Sequence, residues 1–227
     1  MIAVQVVAKA LNAMGGVPAW QLVNDAEVVG TCKAGELLGG GTTSIRWTVS
    51  GPEFRYETDT VNAGPILLSG HGSPVISSTM GNTHLFYEYG RRRLPFHLPG
   101  LPLMTVLNGS ATYSLVLLGT DSITGINAVH VRITEHRGPA KLQGAQQDWW
   151  FDPSSGLPVQ VTYLLPSEDN THYIHLTANY NAWKQESSIL VPLQLSTTFE
   201  GQFVQQSCTI QTVVTNQNPL PSVFDAR

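Results

Sequence analysis

The residues best suited to acid–base or metal chemistry are the histidines, because imidazole titrates near neutral pH and binds metal ions. His130 and His136 are six positions apart on one predicted strand, so they share a face at a separation of about 20 Å. His172 and His175 are three positions apart, and an ideal strand directs them to opposite faces. These spacings predict no metal site from neighbouring residues, and a metal centre would have to be assembled from distant strands.

A nucleophilic serine is the next candidate, and the sequence has no G-x-S-x-G motif. The nearest arrangement is Ser-Gly-His-Gly-Ser at residues 69–73, whose glycines favour an ordinary hairpin turn. No phosphate-loop or dinucleotide motif is present either, since residues 39–41 are a bare glycine run. We therefore predict no catalytic residue, no metal and no cofactor. The alternative is a hydrolase whose site is assembled from several strands around His71, His130 and Asp148.

Cys32 and Cys208 are the only thiols and lie near opposite ends of the chain. If they form a disulfide, the loop-entropy relation gives a stabilisation of roughly 4 to 5 kcal/mol for so long a loop. If they do not, both are expected to be small buried hydrophobic residues, as free cysteines usually are. The sequence leaves both interpretations open.

Charge and composition exclude several classes of protein. The chain has 12 Lys+Arg and 16 Asp+Glu, so 12% of its residues are charged and its formal net charge is -4. Nucleic acids and anionic membranes attract clustered Lys and Arg, and this chain has no long run of charges of one sign. We therefore expect no nucleic-acid partner. No apolar run approaches the roughly 20 residues of a membrane-spanning helix, so we expect no transmembrane segment.

The first predicted element is an amphipathic helix over residues 2–14. Val4, Val7, Ala8, Leu11 and Met14 form an apolar stripe at helical spacing, and Gly15-Gly16 ends the helix. After Pro18, short segments rich in β-branched and aromatic residues alternate with turn residues, a pattern typical of strands and hairpins. The predicted strands are residues 26–33, 42–49, 54–60, 65–69, 74–79, 84–89, 113–120, 128–136, 146–151, 158–165, 172–183, 191–199 and 202–214.

The strand pattern stops between residues 90 and 110. Residues 91–104 contain three prolines, which can neither donate to a sheet nor continue a helix. We therefore predict a crossing loop that ends in a short helical turn. Its dense Leu, Phe and Met content indicates that the loop lies over an apolar surface.

These elements predict a mainly β protein with one strongly curved antiparallel sheet, an N-terminal helix and a Pro-rich covering loop. The length favours one domain over two. The expected organisation of the single domain, 1–227, is an N-terminal helix in 1–16, a first strand set in 24–89, the Pro-rich apolar loop in 90–110, a second strand set in 111–214 and a C-terminal tail in 215–227.

Several stretches together resemble one bacterial family. They are residues 10–16 and 19–23, residues 47–57, residues 149–158, and residues 180–183 with 189–192. These pieces are similar to those of periplasmic proteins of the outer-membrane lipoprotein-carrier type. The resemblance implies an incomplete β-barrel with helices against its concave side and an apolar cavity for acyl chains. In two respects the chain departs from the family: no functional residue of a dedicated carrier can be placed here position by position, and the usual helical inserts are reduced to the Pro-rich loop.

The predicted function is therefore non-enzymatic binding of a lipid, a lipoprotein acyl chain or another apolar ligand. The expected ligand contacts are the apolar residues of the loop, with two arginines near an anionic head group: Arg92, Arg93, Leu94, Phe96, Leu98, Leu101, Leu103 and Met104. Trp150 is a further candidate, because adjacent Trp149 and Trp150 must project to opposite faces of a strand. A second partner hypothesis is pairing with another protein chain through exposed sheet edges.

The expected location is the periplasm or the outside of the cell. No signal peptide is visible in the first residues, which fits either a cytosolic protein or a mature secreted protein with an added initiator Met. The low Lys and Glu content and the high Ser, Thr, Asn and Gln content favour the second interpretation, as does the resemblance.

Overall fold

The structure, a computed structural model, describes residues 2–34, 40–51, 53–60, 64–71, 77–78, 96–109, 111–136, 146–166, 173–199 and 204–225. Its helices are α1 (Ala3–Ala13), α2 (Val17–Gln21) and α3 (Gly100–Asn108), with a short 3-10 helix at Pro221–Phe224. Its strands are β1 (Asp25–Ala34), β2 (Gly41–Ser50), β3 (Glu53–Thr60), β4 (Gly64–His71), β5 (Ser77–Ser78), β6 (Tyr113–Ile123), β7 (Ile126–Glu135), β8 (Gln146–Phe151), β9 (Pro158–Pro166), β10 (Tyr173–Glu186), β11 (Ile189–Phe199) and β12 (Val204–Thr215).

All twelve strands belong to one open antiparallel sheet. The order is β5-β4-β3-β2-β1-β12-β11-β10-β9-β8-β7-β6, so β1 to β5 and β6 to β12 are each a run of successive hairpins. The two runs meet along a single seam, where β1 pairs with β12. The predicted mainly β fold, with one antiparallel sheet not closed into a barrel and an N-terminal helix, is confirmed.

Alternating side chains give the sheet two faces. We call the face that packs against the helices the inner face and the opposite one the outer face. On the inner face, Trp47 of β2, Trp149 of β8 and Tyr163 of β9 are each at most 1% exposed. The aliphatic residues between them, such as Val131 and Val161, are completely buried. The protein core is therefore the layer between this face and the helices.

The sheet curls around the chain segment that precedes α3. His97 contacts Trp47 on β2, with 6.0 Å between ring centroids, and its neighbour Phe96 contacts Tyr163 on β9 at 5.1 Å. Five strand intervals separate β2 from β9, so a flat sheet would hold them about 24 Å apart. Two consecutive residues reach both strands because the sheet is curved, as an incomplete barrel requires.

Helix α1 packs on the inner side through a stripe different from the predicted one. Val4 is 47% exposed and Ala8 is only half-buried, so their assignment to the apolar stripe is wrong. The buried stripe is Ala3, Val6, Val7, Ala10, Leu11 and Met14, which has the same helical spacing. The stripe includes two alanines, and these small side chains let the helix approach its neighbours closely.

The end of α1 docks on the hairpin between β10 and β11. The Leu190 amide donates to the Met14 carbonyl at 2.9 Å. Gly15 follows with φ +114, and a Cβ there would lie 2.2 Å from the Ser188 carbonyl oxygen. Glycine is needed at this position both for its backbone conformation and for the close approach.

Two helices differ from the prediction. Helix α2 is not expected from the sequence, and residues 100–104, expected in a crossing loop that ends in a short helical turn, belong to the nine-residue helix α3. The physical reason is the same in both. Pro18 and Pro102 occupy first turns, where the missing amide hydrogen has no intrahelical partner to lose. The predicted strand at residues 84–89 lies outside the described residues.

Cys32 and Cys208 form a disulfide across the seam between β1 and β12, which settles the alternative that the sequence left open. Beyond β12 the chain is pinned to the start of β1. Gln217 and Asn218 donate their amides to the Asp25 carboxylate at 2.7 and 3.1 Å. Farther on, the Arg55 guanidinium of β3 donates to the Val223 carbonyl at 2.8 Å. The C-terminal segment therefore runs back over the first strand set.

Candidate functional site

The inner face carries a band of aromatic side chains beneath the helices. Trp47 packs on Tyr56 with ring centroids 4.0 Å apart, and Trp149 contacts both Phe151 at 6.0 Å and Tyr163 at 6.5 Å. These residues alternate along β2, β3, β8 and β9, which is why they share one face. Polarisable rings and aliphatic side chains in a curved sheet provide a surface that suits hydrocarbon chains.

Two buried hydrogen-bond donors on this face lack a partner within the described residues. They are the Trp47 indole Nε1 and the Tyr180 hydroxyl. Burial is the main cause that raises the pKa of Tyr180 well above its ordinary value, and the nearby Tyr163 raises it further. This hydroxyl therefore stays protonated. Other buried indoles are paired: Trp149 Nε1 donates to Gln147 Oε1 at 3.0 Å, and Trp20 Nε1 donates to the Met14 carbonyl at 3.1 Å. An unpaired buried donor is costly, so these two sites suit a ligand with an acceptor oxygen.

A cover segment, residues 96–108, lies over the inner face and ends in α3. Helix α3 contacts α1 and α2. Its first residue, Gly100, rests directly against Trp20 of α2: a Cβ at Gly100 would lie 2.1 Å from the indole ring. Only glycine fits this contact without displacing the ring. The cover segment is therefore held on the inner face by one close-packed joint as well as by its apolar side chains.

The structure brings most of the predicted ligand contacts together in this cover segment. Phe96, Leu98, Leu103 and Met104 are buried in the core, and Leu101 is half-buried against it. Arg92, Arg93 and Leu94 lie outside the described residues. In the described structure the apolar residues of the cover segment therefore pack on the inner face itself.

Trp150 lies apart from that group, on the outer face. Its neighbour Trp149 is fully buried on the inner face, as the strand alternation predicts. Trp150 stacks on His130 with ring centroids 4.4 Å apart, and its Nε1 donates to Asp121 Oδ2 at 2.8 Å. Trp150 is thus on the opposite face of the sheet from the cover segment, and its role as a ligand contact stays a prediction.

A charged network surrounds His130 on the outer face. His130 Nδ1 lies 2.8 Å from Asp121 Oδ2, and its Nε2 lies 3.1 Å from Asp148 Oδ1. Arg132 donates through Nε and Nη2 to the two oxygens of Asp148, both at 2.8 Å. The indole of Trp150, and then His130, lower the pKa of Asp121, and the bond to Asp148 raises the pKa of Arg132.

Within the described residues, the network occupies both ring nitrogens of His130. Both ring nitrogens face carboxylate oxygens, so neither is directed at a hydroxyl or thiol that it could activate. The two carboxylates also lie on opposite sides of the ring, too far apart around it to share a metal ion with it. Within the described residues no group of three or more His, Cys, Asp and Glu side chains is arranged to hold a metal. The side chain of His71 lies outside the described part.

The outer face continues as a ladder of polar cross-strand pairs. Gln160 Nε2 donates to Asn179 Oδ1 at 2.6 Å, and the hydroxyls of Thr162 and Thr177 are 2.9 Å apart. Each pair joins directly opposite residues of β9 and β10. Such pairs stabilise the strand register rather than create a binding cleft.

Trp47, Tyr163 and Tyr180 are not predicted as site residues, and Asp121 is not predicted as a partner of His130. The three aromatic residues lie an even number of positions from buried apolar residues of the same strand, so the alternation of side chains could have placed them on the inner face. No comparable signal exists for Asp121, whose contact depends on how β6, β7 and β8 are aligned.

No protein-family model matches the sequence, and no curated protein matches it either. Solved structures do match in shape. A LolA superfamily protein from Nitrosomonas europaea has a TM-score of 0.61 at 10% identity, over 100% of this chain and 98% of that one. A putative outer membrane lipoprotein-sorting protein domain from Vibrio parahaemolyticus has a TM-score of 0.57 at 10% identity, over 98% and 96%.

A DUF1329 family protein from Desulfovibrio piger is similar to the same degree, with a TM-score of 0.56 at 9% identity over 98% of this chain and 97% of that one. The fold is of the lipoprotein-carrier type. The predicted resemblance is therefore confirmed, at the level of the fold. Among the described residues, no helix combines the length and apolar character needed to cross a bilayer.

Proposed function

We propose that this protein is a non-enzymatic, extracytoplasmic binding protein for a lipid, a lipoprotein acyl chain or another apolar ligand. The observation that carries the proposal is the inner face: a curved aromatic and aliphatic surface that holds two buried donors, Trp47 Nε1 and Tyr180 OH, without partners in the described residues. A solved protein of the same fold is described as a putative outer membrane lipoprotein-sorting domain, which supports an acyl ligand.

The cover segment provides a mechanism for uptake. Phe96 and Leu103 are fully buried, so a ligand must displace them before it reaches the inner face. Each methylene that the ligand buries contributes about 0.8 kcal/mol, and a long acyl chain can therefore replace the apolar contacts that the cover gives up. The ligand and the cover segment compete for one surface, and binding is coupled to movement of residues 96–108.

The polar end of the ligand has two sets of candidate partners. Trp47 Nε1 and Tyr180 OH are neutral donors, suited to a carbonyl or ester oxygen. Arg92 and Arg93, immediately before the cover segment in sequence, remain our proposed contacts for an anionic head group, with Leu94 beside the chain. Two arginines next to an apolar segment form a charge pattern that suits an amphiphile.

An extracytoplasmic location agrees with the disulfide between Cys32 and Cys208. Structural disulfides persist in oxidising compartments and are rare in the cytosol. The periplasm is our proposed location for this reason and because of the carrier-type fold.

The proposal is tested with delipidated protein and the fluorescent fatty acid cis-parinaric acid. We expect saturable binding, weakened about tenfold by Leu101→Asp, because Leu101 is one of our proposed ligand contacts and the new carboxylate would face the bound acyl chain once the cover has moved. The matched control is Thr105→Asp, one turn along α3 on its exposed side, which should bind as the wild type does. If the folded wild type takes up no fatty acid, or if Leu101→Asp binds unchanged, the proposal is wrong.

A further inference from the structure

The two ends of the sheet are unlike each other. One end is β5, a strand of two residues. The other is β6, an eleven-residue strand whose one partner among the described strands is β7. A strand at an edge leaves a row of backbone amides and carbonyls available for another strand, and a long edge presents many more of them.

The side chains of β6 do little to block such pairing. Val116, Leu117 and Leu118 are 49%, 38% and 47% exposed. Residues 113–120 contain no charge and no proline, two of the features that commonly protect an edge. The one charge of β6 itself, Asp121, is held on the outer face by His130 and Trp150.

Both faces of this edge are apolar. Leu117 lies opposite the inner-face residue Val131, whereas Val116 lies opposite the outer-face residue Arg132. Leu118 is the extra residue of a bulge between the pairs of Leu117 and Gly119. A strand that docks here must therefore carry consecutive apolar residues, so that it covers side chains above and below the sheet.

We propose that β6 pairs antiparallel with β6 of a second copy of this chain, which gives a two-fold symmetric dimer with a continuous sheet. Leu115–Leu118 of the partner copy is itself a run of consecutive apolar residues, so the surface complements itself. In an antiparallel pairing centred on this run, the Asp121 carboxylates of the two copies lie at opposite ends and do not repel each other.

The bonds near the turn of the β6–β7 hairpin hold the edge strand in place. Trp150 and His130 on β8 and β7 hold Asp121, so β6 is fixed to the sheet before a partner arrives. A pairing limited to one strand buries less than the roughly 1,200 Å² of stable interfaces, and the dimer is therefore concentration-dependent. This proposal is independent of the ligand on the inner face.

Sedimentation velocity of the full chain over a range of micromolar concentrations tests the dimer. We expect the sedimentation coefficient to rise with concentration for the wild type and to stay at the monomer value for Val116→Lys, with unchanged circular dichroism. Leu220→Lys, at an exposed apolar residue of the C-terminal segment, is the matched control and should dimerise normally. A monomer at all concentrations would overturn the proposal, and so would a dimer that Val116→Lys leaves intact.

Cross-linking then tests whether β6 lies at the contact. A Val116→Cys variant should form an intermolecular disulfide on mild oxidation, because position 116 lies near the two-fold axis. Leu22→Cys, at a site 68% exposed and away from β6, serves as the control. Equal cross-linking at both positions would contradict pairing through β6.

Discussion

Strands β7, β8 and β9 present two opposite kinds of surface, built from adjacent residues of the same segments. Across the inner face run Val131, Trp149 and Val161, all fully buried beneath the helices. One residue along, across the outer face, run Arg132, Asp148 and Thr162. Arg132 donates to Asp148, and the Thr162 hydroxyl is hydrogen-bonded to Thr177 on β10. The inner row contributes burial, and the outer row fixes the register that keeps the inner row in place. Because a slip by one residue would exchange the two rows, polar pairs on the outer face preserve the apolar inner face.

The largest difference between the faces should come from the two adjacent tryptophans. Trp149→Ala empties a fully buried site and should lower the free energy of unfolding by about 3–5 kcal/mol. Trp150→Ala loses the stacking on His130 and the bond to Asp121 and should cost about 1 kcal/mol. Urea denaturation of both variants measures the difference. Losses of equal size would show that the two faces do not differ as we describe.

The seam between β1 and β12 offers the next comparison. The double variant Cys32→Ala/Cys208→Ala removes the inner-face disulfide and should cost about 4 kcal/mol, since the unfolded chain loses a cross-link over a separation of 176 residues. The pair Thr31 and Thr209 lies at the adjacent register position on the outer face. Its double alanine variant should change stability by less than about 1 kcal/mol. Reduction of the wild-type disulfide provides a second measurement, which should agree with the cysteine variant.

The joint between the cover segment and α2 should have an intermediate effect. Gly100→Ala forces the new methyl group against the Trp20 ring, and overpacking of this kind costs about 1–3 kcal/mol. Since the strain falls on the cover, we also expect faster uptake of cis-parinaric acid. Thr105→Ala, on the exposed side of α3, is the control for both readouts. Unchanged stability and unchanged uptake kinetics in Gly100→Ala would contradict our description of the cover segment.

On the outer face, Asp148→Asn should have a smaller effect. Asp148 is 8% exposed, but its partner Arg132 is 38% exposed, so solvent screens much of the interaction. We expect a loss of about 1 kcal/mol that shrinks at high salt. Asp121 is 50% exposed, and Asp121→Asn should cost less. Urea unfolding of both variants in low and high salt measures the two losses of stability. A greater loss in Asp121→Asn than in Asp148→Asn would contradict this ranking.

The smallest effect concerns the turn between β8 and β9. Hydrogen bonds from Ser154 and Ser155 lower the pKa of Asp152 to about 2. A carboxylate with a lowered pKa stabilises the fold above its unfolded pKa, and this contribution disappears as the pH falls from about 4 to about 2. Asp152→Asn should therefore be less stable than the wild type by about 0.5 kcal/mol at neutral pH. Thermal unfolding at several pH values should show the two proteins converging near pH 2, and a constant difference would rule out this cause.

The sequence allowed the sheet to be predicted because strand alternation is local. The opposite directions of Trp149 and Trp150 follow from the geometry of any strand, and the structure agrees. Helix α3 could not be predicted in the same way. Pro102 was interpreted as a helix breaker, and whether a proline stands in the first turn depends on where the helix begins.

The candidate site was only partly predictable for a different reason. Phe96 and Leu103 are apolar residues in a Pro-rich stretch, and their composition alone predicts contact with an apolar surface. The pairing of His130 with Asp148 requires the register between β7 and β8, and strand alternation does not determine the register of two separate strands. The inner-face positions of Trp47 and Tyr180 likewise become neighbours of the cover only when the sheet curls.

The seam between β1 and β12 also determines how the molecule responds to force. Ala26 pairs with Thr215 at one end of the seam, and Cys32 pairs with Cys208 six residues farther along β1. Tension that separates Ala26 from Thr215 loads the backbone hydrogen bonds one after another. The pairing of β1 with β12 therefore breaks progressively from that end as far as the disulfide. In oxidised protein the opening stops there, and β2 to β5 stay attached to β6 to β11. In reduced protein the same pull opens the pairing of β1 with β12 along its whole length, so the disulfide sets how far the sheet can open under force.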